Sequence, residues 1–303
     1  MSATATCTLR REPLPLKWVA DAESLEAELE FPPDGIWFAG HFPGVPILPG
    51  VAQLFFARTF ARKAFGDFPD AGLYRRIKFR RLVRPGELVS LKVARKGEGA
   101  FSFMMSVGGA IASSGIVERA DCAVGGDDAQ YAVGKERGST MPPSALCDLL
   151  PHRPPMTMLT EVLAVGDGVS EAIADTSPES VFYDSEAGGI PACVALEYMA
   201  QTMAIVVGEA RRRRGEVPRV GFVLGTRRMM VGEPVFRRGR RYRVAAKCVY
   251  VDEEFGAFDC TMAGPDGKLV AKASLTAYQP PDSMLEAGEV TLRSKSGWEA
   301  NGQ

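Results

Sequence analysis

His41-Phe42-Pro43-Gly44-Val45-Pro46-Ile47-Leu48-Pro49-Gly50-Val51 is the stretch on which the reading of this chain turns. It sets one of only two histidines ahead of a proline-punctuated turn, and Pro49-Gly50 then opens an apolar helix. An imidazole titrates near neutral pH, so a histidine at this place reads as a base at the mouth of a hydrophobic tunnel.

A second apolar helix further along begins in the same way. Laying proline on proline puts Pro49-Gly50-Val51-Ala52-Gln53-Leu54-Phe55 over Pro191-Ala192-Cys193-Val194-Ala195-Leu196-Glu197. Glu197 therefore stands where the first half has Phe55. Counting back fourteen residues gives His41 in the first half and Tyr183 in the second. At these two places the first half offers a histidine and the second a carboxylate.

The two halves also share an order of elements. In the first, a helix is expected from about Gly50 to Phe65, then strands at Tyr74–Val83, Glu87–Ala94, Phe101–Val107 and Ile111–Arg119, with a turn at Arg84-Pro85-Gly86-Glu87. In the second, a helix from Cys193 to Arg211 precedes strands at Val220–Leu224, Arg227–Phe236, Tyr242–Val251, Ala257–Ala263 and Leu269–Tyr278. Pro265-Asp266-Gly267 makes a tight hairpin turn. One long helix followed by antiparallel strands, twice over, is an α+β fold in which each sheet wraps around its helix. The expected domains are 1–124 with His41, a small-residue and proline-containing linker over 125–142, 143–280 with Glu197, and a disordered Ser/Glu/Gly-rich tail over 281–303.

Composition narrows the function. The 303 residues are 46% hydrophobic, which suits two soluble domains with sizeable cores. A net charge of −1 excludes a globally basic nucleic-acid binder, and the arginine runs have no interleaved aromatics. From Arg211 to Tyr250, however, Lys and Arg outnumber Asp and Glu 13 to 2, which gives one face able to attract an acidic partner. The six cysteines (Cys7, Cys122, Cys147, Cys193, Cys248, Cys260) form no C-x-x-C pair, so neither their spacing nor that of the two histidines predicts a metal site. Scattered free cysteines and a first segment without a signal-peptide core fit a cytoplasmic protein. The apolar run Ala192–Val207 carries Glu197 and Gln201 and is read as a buried helix, with no membrane span.

The His41-Phe42-Pro43-Gly44 segment resembles the active-site motif of the hot-dog 3-hydroxyacyl-ACP dehydratases of the FabA/FabZ type. With Lys78-Phe79 and Arg84-Pro85-Gly86, the first half resembles the smaller dehydratase subunit of aryl-polyene systems. Through Leu150-Pro151-His152-Arg153-Pro154-Pro155-Met156, Leu196-Glu197-Tyr198-Met199-Ala200-Gln201 and Gly221-Phe222-Val223-Leu224-Gly225, the second half resembles its carboxylate-bearing partner. The resemblance covers roughly Leu16 to Tyr278 and implies a double hot-dog. In that family two units pair, and each site takes its histidine from one unit and its acid from the other. A fused pair would then build one complete site, His41 with Glu197, and one dead site, Phe55 with Tyr183.

The implied reaction removes water from a (3R)-3-hydroxyacyl thioester to give the trans-2-enoyl thioester, in fatty-acid or aryl-polyene biosynthesis. His41 would take the α-proton. Glu197, its pKa raised by apolar neighbours, would assist the leaving hydroxyl, and the Gly50 N–H would meet the thioester oxygen. Gln201 could orient Glu197, and a retained Tyr183 hydroxyl could touch substrate. His152 lies outside the catalytic motif and is read as structural; Cys193 is read as a small core residue. No metal or redox cofactor is implied, since phosphopantetheine on an acyl carrier protein brings the substrate. Arg211, Arg212, Arg237 and Arg238 are candidates for docking that acidic carrier. The halves form an intramolecular pseudo-dimer, with further homo-oligomerisation left open. Two rival readings remain: a hot-dog thioesterase in which Glu197 activates water, and a non-catalytic acyl-carrier-binding or assembly module.

Overall fold

The structure is a computed structural model that describes residues 14–66, 71–120, 124, 141, 145–281, 283–284 and 292. Cys7, Cys122 and, apart from Met141, the linker expected over 125–142 lie outside the described residues, as does most of the tail.

In the first half the strands are β1 (Leu14–Ala20), β2 (Ser24–Glu30), β3 (Gly72–Phe79), β4 (Leu88–Arg95), β5 (Ala100–Val107) and β6 (Ala110–Glu118), around helix α1 (Gly50–Phe65). The second half has the short helix α2 (Leu146–Leu149), strands β7 (Leu159–Gly166), β8 (Val169–Ala174) and β9 (Gly189–Pro191), a 3-10 turn (Ala192–Val194) and helix α3 (Ala195–Arg212). It continues with β10 (Phe222–Val231), β11 (Val235–Arg237), β12 (Arg243–Val251), β13 (Phe255–Ala263) and β14 (Leu269–Tyr278).

Alternation in the strands fixes which face meets the helix. Phe101, Phe103 and Met105 of β5, Val89, Leu91 and Val93 of β4, and Leu25, Ala27 and Leu29 of β2 are all buried, while the residues between them are more exposed. They cover α1, which buries Leu54, Phe56, Ala57, Phe60 and Ala61. Each large apolar side chain removed from water in this way contributes roughly 1.5–3 kcal/mol. Helix α1 ends where Arg62 and Lys63 complement its negative end and Gly66, at φ 80°, turns the chain while its N–H bonds Arg62 O.

Twelve strands form one sheet in the order β1-β2-β4-β5-β6-β3-β10-β14-β13-β12-β8-β7. Read from its two edges inward, the second half repeats the first strand for strand. The matched strands β3 and β10 meet antiparallel at the centre, with Gly225 opposite Lys78 and Val231 opposite Gly72. This is the α+β double hot-dog expected from the sequence, with a continuous buried core that runs through both halves.

One expected break is absent. The strands read at Val220–Leu224 and Arg227–Phe236 are instead the bulged strand β10 followed by the short β11. Gly225 looked like a terminator because glycine punctuates loops. It sits within the strand at φ 145°, where an added Cβ would lie 2.0 Å from the Ile77 carbonyl oxygen across the seam. Glycine is thus required by the close approach of the two halves. In the tail, Leu292 departs from the expected disorder, because it packs against Phe42, Ile47, Leu82 and Phe222.

The seam provides a stability test. Gly225→Ala forces backbone apart at the central strand pair, and urea unfolding should show a loss of about 1–3 kcal/mol. A variant as stable as the parent would mean that the seam tolerates separation.

Candidate active site

His41 is held by its own loop. Its backbone N–H bonds Phe38 O at 3.3 Å, and its carbonyl accepts from Ile47 N at 3.0 Å. The imidazole Nδ1 lies 3.1 Å from Ile47 O and so carries the proton, leaving the Nε2 lone pair free for chemistry. The ring stacks on Phe42 at 4.2 Å and is buried, which pulls its pKa down to about 4 because burial disfavours the cation.

The second half reaches this loop directly. Arg153 N donates to Gly40 O at 3.0 Å, and a Cβ on Gly40 would lie 1.9 Å from Arg153 O. Gly40, at φ 77°, adopts a conformation that L side chains rarely take. That contact carries His152 into the site, with its ring 5.4 Å from the His41 ring and its Nε2 3.5 Å from Glu197 Oε1. His152, read from the sequence as structural, thus lies beside both catalytic candidates. Its position was overlooked because it precedes the helix by more than forty residues; the available signal was that both histidines of the chain sit in Pro-rich turns.

Glu197 occupies the first turn of α3 and is 6% exposed. Gln201, one helical turn on, donates from Nε2 to Glu197 Oε1 at 2.8 Å and to Met156 O at 2.8 Å, and its Oε1 accepts from Met158 N at 2.8 Å. The amide therefore fixes the carboxyl and pins the segment that bears His152. Burial raises the Glu197 pKa to about 7, against a smaller lowering from the Gln201 bond. One ligand atom each from His41, His152 and Glu197 lies within 4.8 Å of the other two.

These groups line a cavity of about 550 Å³ that continues past Leu196, Ala200, Met203 and Val207 to Arg211 and Arg214. Fourteen residues separate Glu197 from Arg211 on the helix, so the cavity follows α3 for roughly 20 Å. Gly50 also lines it. The first N–H groups of a helix have no partner within it, so the Gly50 N–H is a donor at this wall. The glycine has a second reason here, because a Cβ would lie 2.9 Å from the Phe79 ring.

At the reciprocal position aromatic rings meet. Phe55 packs against Trp37 at 5.9 Å and Phe182 at 5.8 Å, and Trp37 meets Phe182 at 5.2 Å. The ring beside Phe55 is thus Phe182, and Tyr183, expected there by counting, is a half-buried neighbour of the core.

The four arginines proposed for docking differ in their surroundings. Arg211 pairs with Glu216 at 2.9 Å and Arg212 with Glu209 at 2.7 Å, so much of their charge is met locally. Arg237 bonds Ala187 O at 3.0 Å, and Arg238 is exposed. Of the four, Arg211 borders the cavity. Among the described residues no helix is long and apolar enough to cross a membrane. Cys193 is fully buried, as expected of a core residue.

Comparison with known proteins divides the chain in the same way. Residues 17–116 match the family described as ApeI-like, ApeI dehydratase, and residues 144–287 the family described as ApeP-like, ApeP dehydratase. A 3-hydroxyacyl-[acyl-carrier-protein] dehydratase FabZ of Levilactobacillus brevis is 36% identical over 89 residues, 26% of this chain and 60% of that protein. Its counterpart from Oenococcus oeni is 41% identical over 64 residues, 19% of this chain and 46% of that protein. The chain thus spans about half the length of these curated relatives. The dehydratase domain of PpsC from Mycobacterium tuberculosis, solved with C12:1-CoA, superposes with a TM-score of 0.66 over 88% of this chain and 99% of that one, at 15% identity, and so shares the fold. The chain belongs to the hot-dog dehydratases, as an ApeI-like half and an ApeP-like half joined in one polypeptide.

Proposed function

We propose that this protein is a (3R)-3-hydroxyacyl-ACP dehydratase with one composite active site per chain. The observation that carries the reading is the convergence of His41 and Glu197, from opposite halves, in one apolar cavity, while the reciprocal position is filled by aromatic rings.

His41 Nε2, unprotonated because Nδ1–H is committed to Ile47 O, takes the α-proton. Glu197, close to half protonated at neutral pH, delivers a proton to the departing hydroxyl. The Gly50 N–H at the start of α1 bonds the thioester oxygen as enolate charge develops. The acyl thioester lies along α3, and its phosphopantetheine needs no metal or redox partner for this elimination. Gln201 holds the Glu197 carboxyl, and Tyr183 stays outside the reaction. The substrate is delivered by an acyl carrier protein, whose acidic surface is met at the Arg211 end of the cavity. The setting is cytoplasmic.

With a 3-hydroxyacyl carrier-protein substrate, His41→Ala and Glu197→Gln should each lose about 10²–10⁴-fold in kcat, while Tyr183→Phe stays near the parent. Full activity in either of the first two variants would eliminate the composite site. Release of free thiol without enoyl product would instead identify a thioesterase.

The pH profile follows from the two shifts. His41 must be neutral, so kcat/KM should rise with pH through about 4. Glu197 must be protonated, so it should fall as pH climbs through about 7. A profile that stays flat from pH 6 to 9 would remove Glu197 as the acid.

Carrier docking separates from chemistry by substrate. Arg211→Ala and Arg214→Ala should raise KM several-fold for the carrier-borne substrate and leave KM for a pantetheine thioester unchanged. Equal rises for both would assign the arginines to the shape of the cavity.

A further inference from the structure

The site contains more donor atoms than the elimination uses. His41, His152 and Glu197 come from three separate segments and are all buried, with one ligand atom of each within 4.8 Å of the others. His152 Nε2 and Glu197 Oε1 are already 3.5 Å apart. Tetrahedral zinc, with bonds of 2.0–2.2 Å, needs ligand atoms roughly 3.3 Å apart, so the widest separation must close by about 1.5 Å. The His152–Glu197 pair is already near that spacing, so the closure falls on the approach of His41; the His152 ring, whose buried Nδ1 has no hydrogen-bond partner, is the one least held in place.

The outer contacts also suit a metal. A ligating histidine commonly donates its other ring N–H to a backbone carbonyl, and His41 does so to Ile47 at 3.1 Å. A ligating carboxylate is commonly held by a hydrogen bond, and Gln201 supplies one at 2.8 Å. Three protein donors leave a coordination position that the cavity can fill with water or ligand. Two imidazoles and one carboxylate favour zinc, cobalt or copper over magnesium or calcium, which prefer oxygen.

We propose that His41, His152 and Glu197 form a binding site for a divalent transition metal of the zinc class, whose occupancy and that of the acyl thioester exclude one another. Metal binding stands on the geometry alone. The exclusion rests on the dehydratase reading, since the metal takes the lone pair of His41 and the carboxylate of Glu197.

The test uses the full-length, chelator-treated protein. Titration with cobalt(II) should produce the intense visible absorption of a four- or five-coordinate site, and calorimetry should count one zinc per chain, with no heat from magnesium. His152→Gln and Glu197→Gln should each weaken zinc binding by about tenfold or more, with circular dichroism and thermal midpoint unchanged. Should one variant not fold, the other carries the same test. Zinc affinity unaffected in the folded variants, or no binding up to about 1 mM, would overturn the site. So would a near-ultraviolet thiolate-to-cobalt band, which would place the metal on a cysteine such as the exposed Cys147. A cobalt spectrum that persists under saturating acyl thioester would overturn the exclusion while leaving the metal site; failure of dehydration in the metal-free enzyme would instead count against the dehydratase reading.

Discussion

A backbone contact ties the two halves together beside the site: Arg153 N–H on the carbonyl of Gly40, made possible because residue 40 has no side chain. Through it the second half grips the first at the residue before His41, and His152 enters beside both catalytic candidates. Gln201 then links the same second-half segment, at Met156 and Met158, to Glu197. Movement of one member is therefore resisted by the others, which is what a site with a tolerance of about half an ångström requires.

The site also concentrates an electrostatic cost. Two imidazoles and a carboxyl are withdrawn from water without any full counter-ion among them, and burial pushes each towards its neutral form. Neutral histidine and protonated glutamic acid are the pair that an elimination needs, so the apolar walls that would bind an acyl chain also prepare the acid and base. A symmetric dimer would carry this cost twice. Here the reciprocal position holds Trp37, Phe55 and Phe182, whose tilted and edge-on contacts add to the core instead of taxing it.

Much of this was legible in the chain. The proline-anchored alignment located α1, α3 and the exchange of Phe55 for Glu197, because apolar helices of fixed register carry their pattern in sequence. The seam was less readable. Gly225 sends the same signal whether it ends a strand or lets two strands approach, and only the partner strand decides. Likewise Phe182, and not the Tyr183 found by counting, supplies the ring beside Phe55, a one-residue difference that spacing does not reveal.

His152 shows the limit of spacing arguments in general. Motifs reveal ligands and catalytic groups when these sit on one helix or one loop, where residue separation translates into distance. In this fold the cluster is drawn from the loop before α1, the segment after α2 and the first turn of α3, which are brought together by the pairing of halves. Cysteine and histidine counts that argue against a metal from sequence therefore say little about a site of this kind. The contact of Gly40 with Arg153 is what brings the segment of His152 to the loop of His41, so a change that separates them acts on both histidines at once.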